Sequence, residues 1–511
     1  MHTHSLLKRI TLKFSGNFIK FIVNIVALSI IPKALGAELY GDFGFLKSIY
    51  NKTIKFLKLG VPEAYFVKLS KSPTDQKIIG FYIFYIISII CIILGVTIVV
   101  LNSGFQEIVF PGQTRIYIYA AAFLGFFTLI SDSFRVTNDV FGYTANYEKA
   151  AISIYFLNAL LLFVLNINEL ISLDVVFLLH YFTFSCLIIY SILILGKGKV
   201  FALKRLSFGK NDLIKYFKEF YQFSNPLILH ALIIFISIIF DRWLLQYYYG
   251  SIEQGFYTIS LQIAAVIMLF TGSFSTLILR EMSINFEKKG IEEVRHFFNK
   301  FTPIFYFLAS LLGVFIAINS ETILKIIGGD EYKDAYLTLA VLALYPVHQT
   351  FSLYVGNVIL VEERTKIFRN VSLMAFIPGI LITLLFLLPK THNGLELGAT
   401  GLAVKTLLFQ FFTVNLYLWF AAKALNIEFF KYFMSQLYVL IIIVTIGIVS
   451  QHFIALFFNQ VFVNLLFSGL AYVILGLIVI KLMPQTVVFS LEDIFGLISR
   501  LKKNMKTTKI K

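Results

Sequence analysis

Long apolar segments recur along the whole of this 511-residue sequence, and they constrain its fold more than any other feature. Apolar residues make up 58% of the chain and charged residues 14%, against roughly 45–50% and 25% in soluble domains. A segment of roughly 20 apolar residues is long enough to cross a bilayer as a helix. We therefore predict an all-α polytopic membrane protein of about fourteen transmembrane helices: 14–35, 39–66, 78–101, 116–136, 150–165, 173–195, 220–240, 255–279, 301–318, 335–361, 367–388, 398–421, 433–453 and 461–482.

Lysine and arginine are distributed unevenly between the two sides of the predicted membrane. With a cytoplasmic N-terminus, 32 of the 44 lie in cytoplasmic segments or at the adjoining ends of spans. The outer loops and the adjoining ends of spans hold six, namely Lys33, Arg115, Arg242, Lys325, Lys333 and Lys390. Because basic residues concentrate on the cytoplasmic side of membrane proteins, we predict that both termini are cytoplasmic. The same rule accounts for the net charge of +16, so no nucleic-acid partner is expected.

A short motif occurs at the same place in both halves of the chain. The sequence "GAELYGDF" at 36–43 joins the first two spans, and "GSIEQGFY" at 250–257 joins spans seven and eight. Both joints fall on the outer side, which predicts a parallel repeat of two six-helix lobes related by a pseudo-two-fold axis. The predicted domains are an N-lobe (1–195), a basic cytoplasmic linker (196–219), a C-lobe (220–421), two further helices (422–483) and a basic cytoplasmic tail (484–511).

These segments also resemble a known family. "SGNF" followed by "GAELYGDFGFL" is similar to the start of the polysaccharide flippases of the multidrug/oligosaccharidyl-lipid/polysaccharide (MOP) exporter superfamily. "FSNPLILHALIIFISIIFDRWLLQYYYGSIEQGFYTIS" and "ETILKIIGGDEYKDAYLTLAVLAL" resemble later helices of that family, and the likeness covers roughly the first 420 residues. The resemblance implies a MATE-like fold in a bacterial cytoplasmic (inner) membrane. It also implies export of a polyprenyl-pyrophosphate-linked oligosaccharide by alternating access, with membrane lipids around the carrier and a polysaccharide polymerase and chain-length machinery as further partners.

The second predicted span carries cations where the bilayer should exclude them, at roughly 2.5–3.5 kcal/mol each at mid-depth. On a helix with Lys47 at 0°, Lys58 falls at about 20°, Lys55 at about 80° and Lys52 at about 140°, and large apolar residues fill the rest. Such a face is expected to meet a water-filled cavity or an anionic guest. We predict a substrate-binding set on the first two spans: Asn17, Lys20, Asn24, Lys47, Asn51, Lys52, Lys55 and Lys58.

Some of these residues have simpler interpretations. Lys20 and Lys47 lie towards the ends of their spans, where their ammonium groups can reach the headgroups. Asp132 and Arg135 are spaced for a structural ion pair, and the same pair is a candidate for coupling to a proton or sodium gradient. His230 is a second coupling candidate or a packed histidine. No cofactor or metal site is expected, because the histidines are scattered and no two have the spacing of metal ligands.

Three other functions compete with export of a surface polysaccharide. A flippase for the peptidoglycan lipid precursor would need the same cavity charge. A multidrug antiporter of the same superfamily is disfavoured, because a lysine-lined cavity repels cationic drugs and spans one, two, seven and eight hold no mid-depth acid. An enzyme acting on lipid-linked sugar is disfavoured by short outer loops, and we expect no catalytic residues.

Overall fold

A computed structural model describes residues 6–71, 75–197, 209–458 and 460–482 of the chain. The side chains of 6–22, 71, 76, 197, 210–211, 222–227 and a few residues from 270 to 289 are not among those described. The whole of the predicted tail and the 198–208 part of the predicted linker lie outside these ranges. Residues 210–219, also predicted as linker, are helical.

All regular structure in the described residues is helical. The first eight helices are α1 (Leu6–Leu57), α2 (Val61–Lys71), α3 (Gln76–Asn102), α4 (Gln106–Val109), α5 (Arg115–Val140), α6 (Thr144–Ile167), α7 (Leu173–Lys197) and α8 (Lys210–Lys289). The others are α9 (Ile291–Ile318), α10 (Ser320–Ile327), α11 (Tyr336–Leu342), α12 (Tyr345–Val361), α13 (Lys366–Leu387), α14 (Gly398–Leu425), α15 (Phe429–Ala455) and α16 (Val461–Leu482). Two short 3₁₀ helices lie at Asp330–Ala335 and Lys390–His392.

Eleven helices in this part of the chain are long and apolar enough to cross a membrane. Two of them, within α1 and α8, contain a break at Gly36 and Gly250, so each corresponds to two predicted spans. The predicted span 335–361 is divided between α11 and α12, and α12 alone has only 17 residues. The prediction of an all-α polytopic membrane protein is confirmed, and the sidedness of the termini remains a prediction.

The chain divides into two compact units, 1–258 and 259–511, with the boundary inside α8. In the first unit, α1 packs against α5, α6 and α7. In the second unit, α9, α12, α14 and α15 surround an apolar core that contains Phe298, Phe305, Phe351 and Tyr354. The predicted lobe boundaries at 195 and 220 remain a prediction.

Candidate functional site

Two glycines interrupt the long helices α1 and α8 at equivalent places in the repeat. Gly36 has φ 74° and ψ 174°, and Gly250 has φ 70° and ψ −164°. A residue with a Cβ is strained at such positive φ, whereas glycine reaches it at no steric cost. The repeated motif therefore encodes nearly the same backbone turn twice.

The second glycine of each motif packs against the opposite turn. A Cβ added at Gly41 would overlap the carbonyl group of Ser251, and a Cβ at Gly255 would overlap that of Ala37. Ser251 follows Gly250 as Ala37 follows Gly36, so the contact is reciprocal. We name this pair of glycine contacts the glycine crossing. Because only glycine has room there, the backbones of α1 and α8 approach closely at this point.

Polar contacts surround the glycine crossing. The carboxylate of Asp42 accepts hydrogen bonds from Gln113 and from the hydroxyl of Ser251. The indole Nε1 of Trp243 donates to the carbonyl oxygen of Ile108 at 2.6 Å, and the side-chain amide of Gln246 donates to that of Pro111 at 3.2 Å. These bonds tie the α8 side of the crossing to α4 and to the segment that joins α4 to α5.

Beyond the crossing, α1 and α8 bring three cations together. Arg242 is only 6% exposed, and its guanidinium donates to Gln254 Oε1 at 2.7 Å and to Thr258 Oγ1 at 3.2 Å. It also lies over the ring of Tyr257, 4.5 Å from the centroid. Lys52 is half-buried, within electrostatic range of both Arg242 and the exposed Lys55. We name Lys52, Lys55 and Arg242 the cation cluster.

The cation cluster has little acidic compensation in the part of the chain that the structure describes. The ion pairs found there do not include Lys52 or Lys55. Asp241, which precedes Arg242 in the chain, is an acidic group within electrostatic range of the guanidinium. A stack of Phe56 on Phe235, with ring centroids 4.8 Å apart, joins α1 to α8 beside the cluster. The arrangement suits an anion, because like charges held close together are stabilised when a negative group lies between them.

Arg242 was not among the predicted site residues. The prediction ended the seventh span at Phe240 and placed Arg242 in an outer loop, whereas α8 continues through it. Helix α8 therefore contributes a cation to this region that was not predicted from the sequence. The sequence "IIFDRWLLQ" carried the signal, because apolar residues on both sides of the arginine are typical of a helix that has not yet ended.

Lys47 on α1 and Lys58, in the turn just after the end of α1, each contact a side chain of a neighbouring helix. The ammonium of Lys47 lies 3.3 Å from Nε2 of His180 on α7 and 4.8 Å from the ring centroid of Phe43. The ammonium of Lys58 donates to Asp132 on α5 at 3.0 Å. Both lysines thus have protein partners, whereas Lys52 and Lys55 form no ion pair with the described acids.

The remaining predicted residues are placed as follows. Asp132 and Arg135 form the predicted pair at 3.5 Å, and Asp132 also holds Lys58, which joins the turn after α1 to α5. Asn51 is half-buried and Asn24 exposed on α1. His230 is half-buried on α8, twelve residues before Arg242. The side chains of Asn17 and Lys20 lie outside those described.

At the far end of this unit, the start of α8 is tied to α2 and α3. Lys77 donates to Asp212 at 2.9 Å, the hydroxyl of Tyr216 donates to Asp75 at 2.9 Å, and Lys68 pairs with Glu219. The ammonium of Lys77 holds the pKa of Asp212 below its usual value. Burial, and then the bond to Asp75, raises the pKa of Tyr216. We name these three pairs the α8 clasp.

No group of three or more potential metal ligands occurs among the residues that the structure describes. The site therefore consists of fixed positive charge, hydrogen-bonding groups and aromatic surfaces. Such groups can bind and neutralise an anion. Hydrolysis or group transfer would need an acid and a base arranged around a bond to be broken.

No protein-family model matches the sequence, and no curated protein matches it either. Solved structures do match. The lipid II flippase MurJ in an inward closed conformation has a TM-score of 0.65 over 93% of this chain and 98% of its own, at 14% identity.

The same fold occurs in two further transporters. A multidrug resistance MATE family transporter of the MOP superfamily, in an inward-facing conformation, has a TM-score of 0.58 over 82% of this chain and 98% of its own, at 12% identity. A MOP superfamily transporter from Pyrococcus furiosus, described as having a binding pocket of reverse polarity, has a TM-score of 0.50 over 82% of this chain and 95% of its own, at 12% identity. The chain has the fold of these transporters. At such identities the likeness concerns the fold alone, so the cargo has to be argued from the site.

Proposed function

We propose that this protein is a flippase that moves a polyprenyl-pyrophosphate-linked oligosaccharide across the bacterial cytoplasmic membrane by alternating access. The observation that carries the proposal is the cation cluster of Lys52, Lys55 and Arg242, in which neither lysine pairs with a described acid. A polytopic protein retains such charges at a cost of roughly 2.5–3.5 kcal/mol each when they lie deep in the bilayer, which favours a functional role.

The chemistry of the cluster fits a pyrophosphate. The two phosphates of a lipid-linked sugar must lose part of their hydration to cross about 30 Å of hydrocarbon. An arginine offers a planar fork of donors that can bind two oxygens at once, whereas lysines follow a moving phosphate as point charges. Because the existing bonds of Arg242 already fix its guanidinium, we expect it to orient the phosphates and expect the two lysines to release them.

Two separate parts of α8 support alternating access. The glycine crossing and its polar contacts join the middle of α8, at its break at Gly250, to α1 and to the α4–α5 segment. The α8 clasp joins the start of the same helix to α2 and α3. We propose that a transport cycle opens these two sets of contacts in turn, with the crossing on the outer side and the clasp on the cytoplasmic side.

The resemblance of the sequence to polysaccharide flippases favours a surface-polysaccharide repeat unit as the cargo. A peptidoglycan precursor is the second candidate, because the structural neighbour MurJ is a lipid II flippase. A multidrug antiporter is disfavoured, because a site with three cations repels a cationic drug. A polymerase and chain-length machinery remain predicted partners on the outer side of the membrane.

The proposal is tested with a Lys52→Gln, Lys55→Gln double variant in a strain that lacks its surface-polysaccharide flippase. We expect loss of surface polysaccharide at an unchanged amount of protein in the membrane. A Lys52→Arg, Lys55→Arg variant keeps the charge and should retain part of the activity. Lys325, an exposed lysine in the second unit, provides the control, since a Lys325→Gln variant should export normally.

Full export by the double glutamine variant would refute the proposal. Rescue of a peptidoglycan-flippase depletion strain, together with failure to rescue the polysaccharide strain, would assign the second cargo instead. If the purified protein binds neither of the two lipid-linked saccharides, both cargo assignments are refuted.

A further inference from the structure

The pair formed by Lys47 and His180 is a buried contact between two basic groups, and the proposed function leaves it unused. Both residues are half-buried, Lys47 on α1 and His180 on α7. Phe43 covers both: its ring centroid lies 4.8 Å from the ammonium and 5.4 Å from the imidazole centroid. Phe177 packs edge-on against Phe43 at 5.3 Å. The pair therefore lies against aromatic rings from both α1 and α7.

The hydrogen bonds of His180 define its tautomer. Nδ1 lies 2.8 Å from the carbonyl oxygen of Val176, and a carbonyl can only accept, so Nδ1 carries a proton. Nε2 lies 3.3 Å from the ammonium of Lys47 and can accept a hydrogen bond only while it is unprotonated. The arrangement thus holds one excess positive charge, on Lys47, beside a neutral imidazole.

Among the described contacts, the surrounding helices supply no negative charge that would compensate a second proton on the imidazole of His180. Lys47 on α1 is the charged group that acts on His180. On α7, Asp174 interacts with Tyr117 of α5, and the hydroxyl of Tyr181 donates to the carbonyl oxygen of Ala120 on α5. From α6, Asn158 reaches the adjacent turn of α7, where it donates to Leu179 and Thr183.

Protonation of Nε2 would replace the hydrogen bond by repulsion between two cations. Lys47 would then have to leave His180, and its flexible side chain would carry the ammonium to another partner. Lys47 lies on the same helix as Lys52, five residues away, so an anion bound at the cation cluster is a partner of the required charge. An anion would in turn favour the doubly protonated pair, because linkage between two binding events is reciprocal.

We propose that the Lys47–His180 pair is a proton-binding site linked to cargo: His180 Nε2 takes up one proton as an anionic pyrophosphate lipid binds, and Lys47 is released to contact it. This inference rests on the proposed function, since it requires an anionic cargo. It identifies a coupling group different from Asp132, Arg135 and His230. The proton comes from solvent and returns to it when the cargo leaves.

The experiment measures binding of farnesyl pyrophosphate to the purified full-length protein by calorimetry at several pH values between 6 and 8. Each measurement is made in two buffers that differ in ionisation enthalpy, which yields the number of protons taken up per ligand. The His180→Gln variant can still accept a hydrogen bond from Lys47 but cannot be protonated. His230→Gln and His392→Gln serve as controls on another helix and on an exposed loop.

We expect tighter binding at pH 6 than at pH 8 in the wild type, with about one more proton taken up per ligand than in His180→Gln. Subtracting the proton uptake of His180→Gln from that of the wild type removes the contribution made by titration of the ligand itself. The two control variants should behave as the wild type. His180→Asn replaces the glutamine variant if the latter does not elute as a single species with the wild-type melting temperature.

Equal pH dependence and equal proton uptake in wild type and His180→Gln would overturn the inference and leave the proposed function intact. Loss of proton uptake in His230→Gln alone would overturn it as well, by moving the site to α8. No binding to the wild type at any pH would refute the proposed function and the inference together.

Discussion

Replacing Gly41 by alanine tests the glycine crossing. The added Cβ would lie 2.7 Å from the carbonyl carbon of Ser251 and 2.8 Å from the amide nitrogen of Gly255, and it would overlap the carbonyl oxygen of Ser251. Real Cβ contacts essentially never fall below 3.0 Å, and these obstacles are backbone atoms that no rotamer change can move. The two turns must therefore separate.

The magnitude follows from overpacking. Inserting one carbon into a filled site costs about 1–3 kcal/mol, and the backbone obstacles here favour the upper part of that range. At 1.4 kcal/mol per tenfold change, about 3 kcal/mol disfavours the closed crossing more than a hundredfold relative to a state in which the turns have parted. We therefore expect Gly41→Ala to lower the melting temperature in detergent and to enrich the open arrangement.

The assay is modification of Thr258→Cys by a membrane-impermeant maleimide, after Cys91 and Cys186 have been replaced by serine. Thr258 is 4% exposed and lies against Gly44, immediately beyond the crossing. Parting of the turns should therefore expose it and speed its modification. Gly95→Ala on α3 is the matched control, because a Cβ there meets nothing within 4 Å.

The double variant Gly41→Ala, Gly255→Ala decides between a shared and an independent effect. Both substitutions wedge the same two backbones apart, so the second should cost clearly less once the first has opened the crossing. Unchanged melting and unchanged modification in Gly41→Ala would refute the reasoning. Strictly additive losses would show that the two glycines act separately, contrary to the reciprocal contact.

Two further predictions concern the ion pairs of the first unit. Asp132→Asn removes the carboxylate that holds Lys58. Because the pair is partly exposed, the free energy of unfolding should change by less than about 1 kcal/mol. Farnesyl pyrophosphate should bind several-fold more tightly if the released Lys58 then joins the site. The control Asp139→Asn should leave the affinity measured by calorimetry unchanged. If Asp132→Asn also leaves it unchanged, Lys58 does not belong to the site. Joining Lys77→Cys to Asp212→Cys with a short reducible linker should stop transport until reductant is added, because the linker holds together two residues that the proposed cycle must separate. Transport that continues in the linked protein would show that the clasp need not open.

The fold class and the two turns could be predicted because they depend on local sequence. Apolar segments of membrane-spanning length identify helices without any knowledge of their neighbours. The glycines at 36 and 250 stand in matching motifs, and glycine is the residue that accepts the conformation found there. Hydropathy could not show that the paired helices continue through these turns.

The partners of the lysines could not be predicted, because they are set by packing between distant helices. His180 is 133 residues from Lys47, and Asp132 is 74 residues from Lys58. A helical projection shows which side a lysine faces, but not which helix lies opposite. Arg242 was missed for a different reason: the predicted span ended at Phe240, two residues before it, whereas the helix continues to the break at Gly250.

In the glycine crossing, each half of the repeat supplies one glycine and one backbone carbonyl to the contact. A contact of this kind has the form of a symmetric dimer interface. The turn at 36–41 carries both a close-packing glycine, Gly41, and the carbonyl that an equivalent glycine meets, at Ala37. Its surface is thus complementary to a second copy of itself. Two copies of the first half could therefore make the same crossing with each other, as the two subunits of a homodimer do.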